Sequence, residues 1–121
     1  MAEKILVADD SSAVRQSIKF VLTNNGYEVV EAENGEEAAK TLSDNEYSLV
    51  ITDINMPKKD GIGLIKDVRQ SSGNKFTPII VLTTESQNSK MEEGKKAGAT
   101  AWIVKPFQTE KLLEVVKKVI E

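Results

Sequence analysis

Two adjacent acids, Asp9 and Asp10, end the apolar run of ILVADDSS, where local strand formation has no use for them and their like charges repel. A third acid, Asp53, ends YSLVITD. Thr83 ends PIIVLT, and Lys105 ends TAWIVK. Taken singly, each has an ordinary explanation. An Asp before Ser-Ser favours a helix start; Asp53 can open the turn through Asn55, Met56 and Pro57; Thr83 is a common β-branched strand end; Lys105 can be a solvated tip. Together they put a group suited to one task at the end of run after run. Two carboxylates about 4 Å apart at an effective dielectric near ~20 repel by roughly 4 kcal/mol, so three need compensation. Lys105 supplies one positive charge and a divalent cation would supply two.

The chain holds no His and no Cys. Thiolate zinc sites and disulfides are therefore excluded, together with the commonest general base. All-oxygen ligands select Mg²⁺, with Mn²⁺ or Ca²⁺ as alternatives. Mg²⁺ keeps a few carboxylates, waters and a phosphate oxygen, which points to phosphoryl chemistry. Asp53 is then the natural nucleophile, because a carboxylate can take a phosphoryl group as an acyl phosphate. Asp9 and Asp10 would hold the ion that neutralises the phosphoryl oxygens. Lys105 would pair with one phosphate oxygen and Thr83 would hydrogen-bond another. There is no P-loop or glycine-rich nucleotide cradle, which argues against ATP as a donor bound here.

Groups so far apart in the chain converge only if a fold brings strand ends together. Five apolar runs, KILVA, YEVVEA, YSLVITD, PIIVLT and TAWIVK, alternate with segments of helical spacing. The first, third and fourth runs are nearly continuous in Ile, Leu and Val, as in strands covered on both faces. The second is less clean and suits a sheet edge. Val14, Ile18, Val21 and Leu22 mark the inner face of a first helix, opened by Ser11 or Ser12 and stopped at Gly26. Ala38 and Leu42 mark the second helix, and Ile62, Ile65 and Val68 the third. The fourth, SQNSKMEEGKKAG, is poor in apolar residues beyond Met91 and Ala97 and contains Gly94. The last, TEKLLEVVKKVIE, carries a stripe wider than core packing needs. This order predicts one α/β domain over 1–121, a doubly wound parallel sheet with helices on both faces. Ligands of such sheets bind beyond the carboxyl ends of the strands, where the strand order reverses.

The chain of 121 residues, with net charge −3 and 16 scattered basic residues, reads as a soluble domain and not as a nucleic-acid binder. MAEKILVADD is too acidic and its apolar stretch too short for a signal peptide, and no run is long enough for a membrane span. The expected location is the cytoplasm.

With DD at 9 and 10, TDINMPKKDG around Asp53, LTT containing Thr83 and IVKPF at 103–107, the sequence resembles a response-regulator receiver domain over essentially its whole length. The resemblance implies a flavodoxin-like (βα)5 fold with strand order 2-1-3-4-5 and phosphoryl transfer to Asp53 from a phosphohistidine of a partner histidine kinase. It implies that the Asn55 backbone carbonyl completes the Mg²⁺ shell and that Lys105–Pro106 is cis. It also implies a switch in which Thr83 moves toward the phosphate and the fifth-strand aromatic, here Trp102, swings inward. Helix 4, strand 5 and helix 5 would form the output surface. Asn55 and Glu85 resemble the chemotaxis branch, whose output partner is the flagellar motor switch, with a phosphatase as a further partner and a monomeric state expected. On this view the chain is a phosphoacceptor and not an enzyme with turnover. Alternatives are a phosphorelay intermediate, a fragment of a larger regulator, a haloacid-dehalogenase-like phosphatase and a flavodoxin-like electron carrier. The phosphatases usually place a second acid two residues after the nucleophile, where this chain has Asn55, and Asp9 and Asp10 would repel a flavin phosphate.

Overall fold

The computed structural model describes residues 3–84 and 88–120. Strands β1 (Lys4–Ala8), β2 (Glu28–Ala32), β3 (Leu49–Asp53), β4 (Ile79–Thr83) and β5 (Ala101–Val104) alternate with helices α1 (Ser12–Thr23), α2 (Gly35–Lys40), α3 (Gly61–Gln70), α4 (Asn88–Ala97) and α5 (Thr109–Ile120). All strand pairs are parallel and the order is β2-β1-β3-β4-β5, the order that the resemblance implies. The chain leaves β1 toward one edge to make β2, then returns to build β3, β4 and β5 on the other side. The loops after β1 and β3 therefore diverge, opening a crevice at their carboxyl ends.

Side-chain alternation divides the interior into two layers. Ile5, Val7, Leu49, Ile51, Ile80 and Leu82 pack with Ile18 and Leu22 of α1 and Leu112 and Val116 of α5. Leu6, Ala8, Val50, Ile79 and Val81 pack with Ala38 of α2 and with Ile62, Leu64, Ile65 and Val68 of α3. Because β3 and β4 are covered on both faces, all five residues of each are buried. β2 lies at the sheet edge, as its mixed pattern predicts, and β5 forms the other edge.

Local chemistry sets the helix starts. The Ser11 hydroxyl accepts the Val14 N–H at 3.3 Å, Asn34 accepts from Glu37 at 2.7 Å and Asp60 accepts from Gly63 at 2.9 Å. Past α1 the chain turns at Gly26 with φ of 89°, a conformation that L side chains avoid.

Three expectations are refined. Helix α2 ends at Lys40, so Leu42 lies beyond it yet remains buried. β5 ends at Val104, and Lys105 stands just past the strand in the following loop. The broad stripe of α5 is less exposed than its sequence suggests, since Leu113, Val115, Val119 and Ile120 pack half-buried around the core. Glu85 lies outside the described residues.

At the amino end of the sheet, the fully buried Asn74 ties two loops together. Its side-chain oxygen accepts the Tyr47 N–H at 2.7 Å, and its amide donates to the carbonyls of Asn45 at 2.8 Å and Leu42 at 3.3 Å. Thr77 Oγ1 donates to the Tyr47 carbonyl at 3.1 Å, and the Tyr47 hydroxyl donates to Thr41 Oγ1 at 2.6 Å. Among the described residues no helix is long and apolar enough to cross a membrane.

Candidate functional site

At the carboxyl end of β1 the backbone N–H of Asp9 donates to the Ala32 carbonyl at 3.1 Å, which extends the β1–β2 pairing by one residue. The Asp9 carboxylate is fully buried. Its Oδ1 accepts the Ser11 N–H at 2.9 Å, in a turn ahead of the Ser11 cap of α1, and its Oδ2 accepts from Lys105 Nζ at 2.9 Å. The same ammonium stands 3.3 Å from Asp53 Oδ2. Asp10 is exposed at the rim. One carboxylate oxygen from each of Asp9, Asp10 and Asp53 can be chosen so that all three lie within 4.8 Å of one another.

Two carboxylates thus share one ammonium, with a third beside them. Burial pushes the Asp53 carboxyl above its usual range and the neighbouring Asp9 charge adds to this; Lys105 and a backbone hydrogen bond from Asn55 oppose the shift without cancelling it. Burial works to lower the Lys105 ammonium, yet the hydrogen bond to Asp9 and the charges of Asp53 and Asp9 together raise it. Lys105 therefore stays charged, and the ionised form of Asp53 carries an uncompensated cost of burial. The donor set is entirely oxygen, and the spacing lets the three acids share one small hard cation.

The other expected residues lie around this cluster. Thr83 is the buried last residue of β4; its carbonyl accepts the Lys105 N–H at 2.6 Å and its hydroxyl donates to the Thr84 carbonyl at 3.2 Å. Asn55 is exposed two residues after Asp53. The Lys105–Pro106 peptide is cis. Trp102 is half-buried against the core layer beneath α2 and α3. It also borders, with Pro106, Phe107, Lys111 and Val115, a cleft of about 400 Å³ beside α5.

Sequence reasoning missed two contributors. A Cβ on Gly61 would collide with the carbonyl oxygen of Asp53, so the β3–α3 loop can close behind the acid only with glycine there. The Asp-Gly pair at the start of α3 was the available signal. Arg15, on α1, donates from NH1 to the Asp9 carbonyl at 2.6 Å and from Nε to Glu31 Oε1 at 3.3 Å. Nothing in the sequence sets this residue apart from the other basic residues.

Residues 5–117 match the family profile of the response regulator receiver domain, and the chain belongs to that family. Within it, the chain is 40% identical over 121 residues to the chemotaxis protein CheY of Bacillus subtilis, covering 99% of each chain. It is 44% identical over 119 residues to chemotaxis protein CheY1 of Helicobacter pylori, covering 97% of this chain and 96% of that one. The solved structure of the chemotaxis response regulator CheY4 of Vibrio cholerae matches with a TM-score of 0.92 at 43% identity, covering 98% of this chain and 99% of the other.

Proposed function

We propose that this chain is a two-component response regulator of chemotaxis in which Asp53 accepts a phosphoryl group from a phosphohistidine of a partner histidine kinase. The observation that carries this reading is the Lys105 ammonium bridging Asp9 at 2.9 Å and Asp53 at 3.3 Å beside a third carboxylate. A carboxylate oxygen of Asp53 forms the new bond to phosphorus. The P–N bond breaks, and its electron pair leaves on the histidine ring, which takes up a proton. Asp9, Asp10 and Asp53, with the Asn55 carbonyl, would hold Mg²⁺, which supplies charge neutralisation at the phosphoryl oxygens when bound. Lys105, already charged and aimed at Asp53, pairs with a phosphoryl oxygen, and the Thr83 hydroxyl turns to another. Trp102, half-buried beside its cleft, follows Thr83 inward and changes the surface of α4, β5 and α5. Phosphorylation then shifts an existing equilibrium in favour of a downstream target, the flagellar motor switch being the chemotactic candidate, and a phosphatase resets it. The chain acts as a phosphoacceptor, with no turnover beyond self-phosphorylation from small donors and loss of its own phosphoryl group.

Incubation with acetyl phosphate and Mg²⁺ should raise the intact mass by one phosphoryl group, and Asp53→Ala should abolish the gain. Retention of the added mass in that variant would remove Asp53 from the role. Beryllofluoride should change the fluorescence of Trp102, the single tryptophan of the chain; an unchanged spectrum at saturation would count against the aromatic switch.

A further inference from the structure

We propose that Arg15 is a positioning residue that sets the Mg²⁺ affinity of the site by holding the Asp9–Asp10 peptide in place. The inference rests on the metal-binding role given to the acidic cluster above.

Most of Asp9 is fixed by other partners. Its N–H is held by Ala32, one carboxylate oxygen by the Ser11 N–H and the other by Lys105. The remaining handle is the carbonyl oxygen, which shares a rigid peptide plane with the N–H of Asp10. Fixing that oxygen fixes the direction in which Asp10 leaves the strand. Asp10 is exposed, so core packing does not orient it. Arg15 donates to this carbonyl at 2.6 Å.

The guanidinium is itself braced. Its Nε meets Glu31 Oε1 at 3.3 Å, and Lys19 Nζ lies 3.3 Å from the other Glu31 oxygen. The Arg15 side chain is only 15% exposed, which separates it from the solvated ion pairs that contribute little. A line of contacts therefore runs from α1, over the rim of β2, to the peptide that aims Asp10. Partners behind a metal ligand commonly change affinity by tenfold or more when removed.

Charge and position predict opposite signs here. A guanidinium beside a cation site repels a dication, so its removal on electrostatic grounds alone should tighten Mg²⁺ binding. If Arg15 acts by position, its removal should loosen binding. Calorimetric Mg²⁺ titration of the full chain separates the two. Arg15→Met should raise the Kd for Mg²⁺ about tenfold. Arg15→Lys keeps the charge and one donor but loses the fork that spans Glu31 and the carbonyl, and should raise Kd about threefold. The Mg²⁺ concentration giving half-maximal labelling by acetyl phosphate should rise by the same factors, with the rate at saturating Mg²⁺ within about twofold of wild type. A Kd equal to or below wild type in either folded variant overturns the proposal; Arg15→Lys carries the test alone if Arg15→Met does not fold. A wild-type chain that takes up no Mg²⁺ overturns the receiver mechanism and the brace together, whereas wild-type binding with unchanged variants overturns the brace only.

Discussion

The two ends of the sheet handle buried polar groups in opposite ways. At the amino end, Asn74, Thr77 and Tyr47 are neutral, and each hydrogen bond answers a backbone or hydroxyl group in an adjoining loop. At the carboxyl end, one ammonium bridges two carboxylates and a third stands beside them. The first arrangement closes its own account of donors and acceptors. The second leaves an excess of negative charge. Polar groups at the amino end hold the fold together, whereas those at the carboxyl end form the cluster proposed to hold a cation.

The sharpest way to break this contrast is to cut the neutral network. Asn74→Ala leaves the Tyr47 N–H and the carbonyls of Leu42 and Asn45 without their side-chain partner. Urea unfolding should show a loss of about 3 kcal/mol, with Mg²⁺ affinity unchanged. A variant as stable as wild type would mean that water replaces the asparagine without penalty.

Mg²⁺ should act on the other end alone. At a hundred times its Kd, bound cation should add about 2.7 kcal/mol to stability, and removal by chelation should reverse this. Thermal melts with and without the metal check the increment. Asn74→Ala should retain it and Asp10→Ala should lose it; the reverse pattern would dissolve the distinction between the two ends.

A smaller effect, opposite in sign to the Asn74 change, is expected at the acceptor. In metal-free buffer Asp53→Asn removes a carboxylate whose acidity is weakened by burial and by Asp9. The variant should gain about 1 kcal/mol after allowance for solvent screening at the rim, roughly a 4 °C rise in Tm. The gain depends on pH. Because the folded-state pKa of Asp53 is raised, the folded chain binds this proton more readily than the unfolded chain. The Asp53 penalty is therefore fully present above the folded pKa, and it fades as pH falls through that value toward the unfolded one. The stability difference between variant and wild type should shrink on acidification; a difference that grows would reverse the assignment of Asp53 as a strained group.

The carboxyl end was more legible in the sequence than the amino end. Asp9, Asp10, Asp53 and Lys105 each break the logic of an apolar run at its end, and a parallel sheet sends those ends to one side. Periodicity also marked the layers of α1 and α3. The strand order was carried by the resemblance, because alternation of strand and helix fits several doubly wound orders. The end of α2 was not legible, since Thr41 and Leu42 carry no stop signal and tertiary packing decides where the helix yields. Asn74 looked like one polar residue in the loop SSGNKF. Its importance arises from Tyr47 and Asn45, which lie far from it in sequence. Arg15 was silent for the same reason, as its partner Glu31 sits on the next strand.

The Asp9–Lys105 ion pair joins residues 96 positions apart and links the tips of strands that are not neighbours, since β3 and β4 lie between β1 and β5. It closes only after four strands have docked in register. Loop closure over such a span opposes early formation, so the contact belongs to the last stage of assembly. A partly folded chain has acids without their ammonium. The ion pair thereby couples the arrangement of the acidic cluster to the joint pairing of β1, β3, β4 and β5.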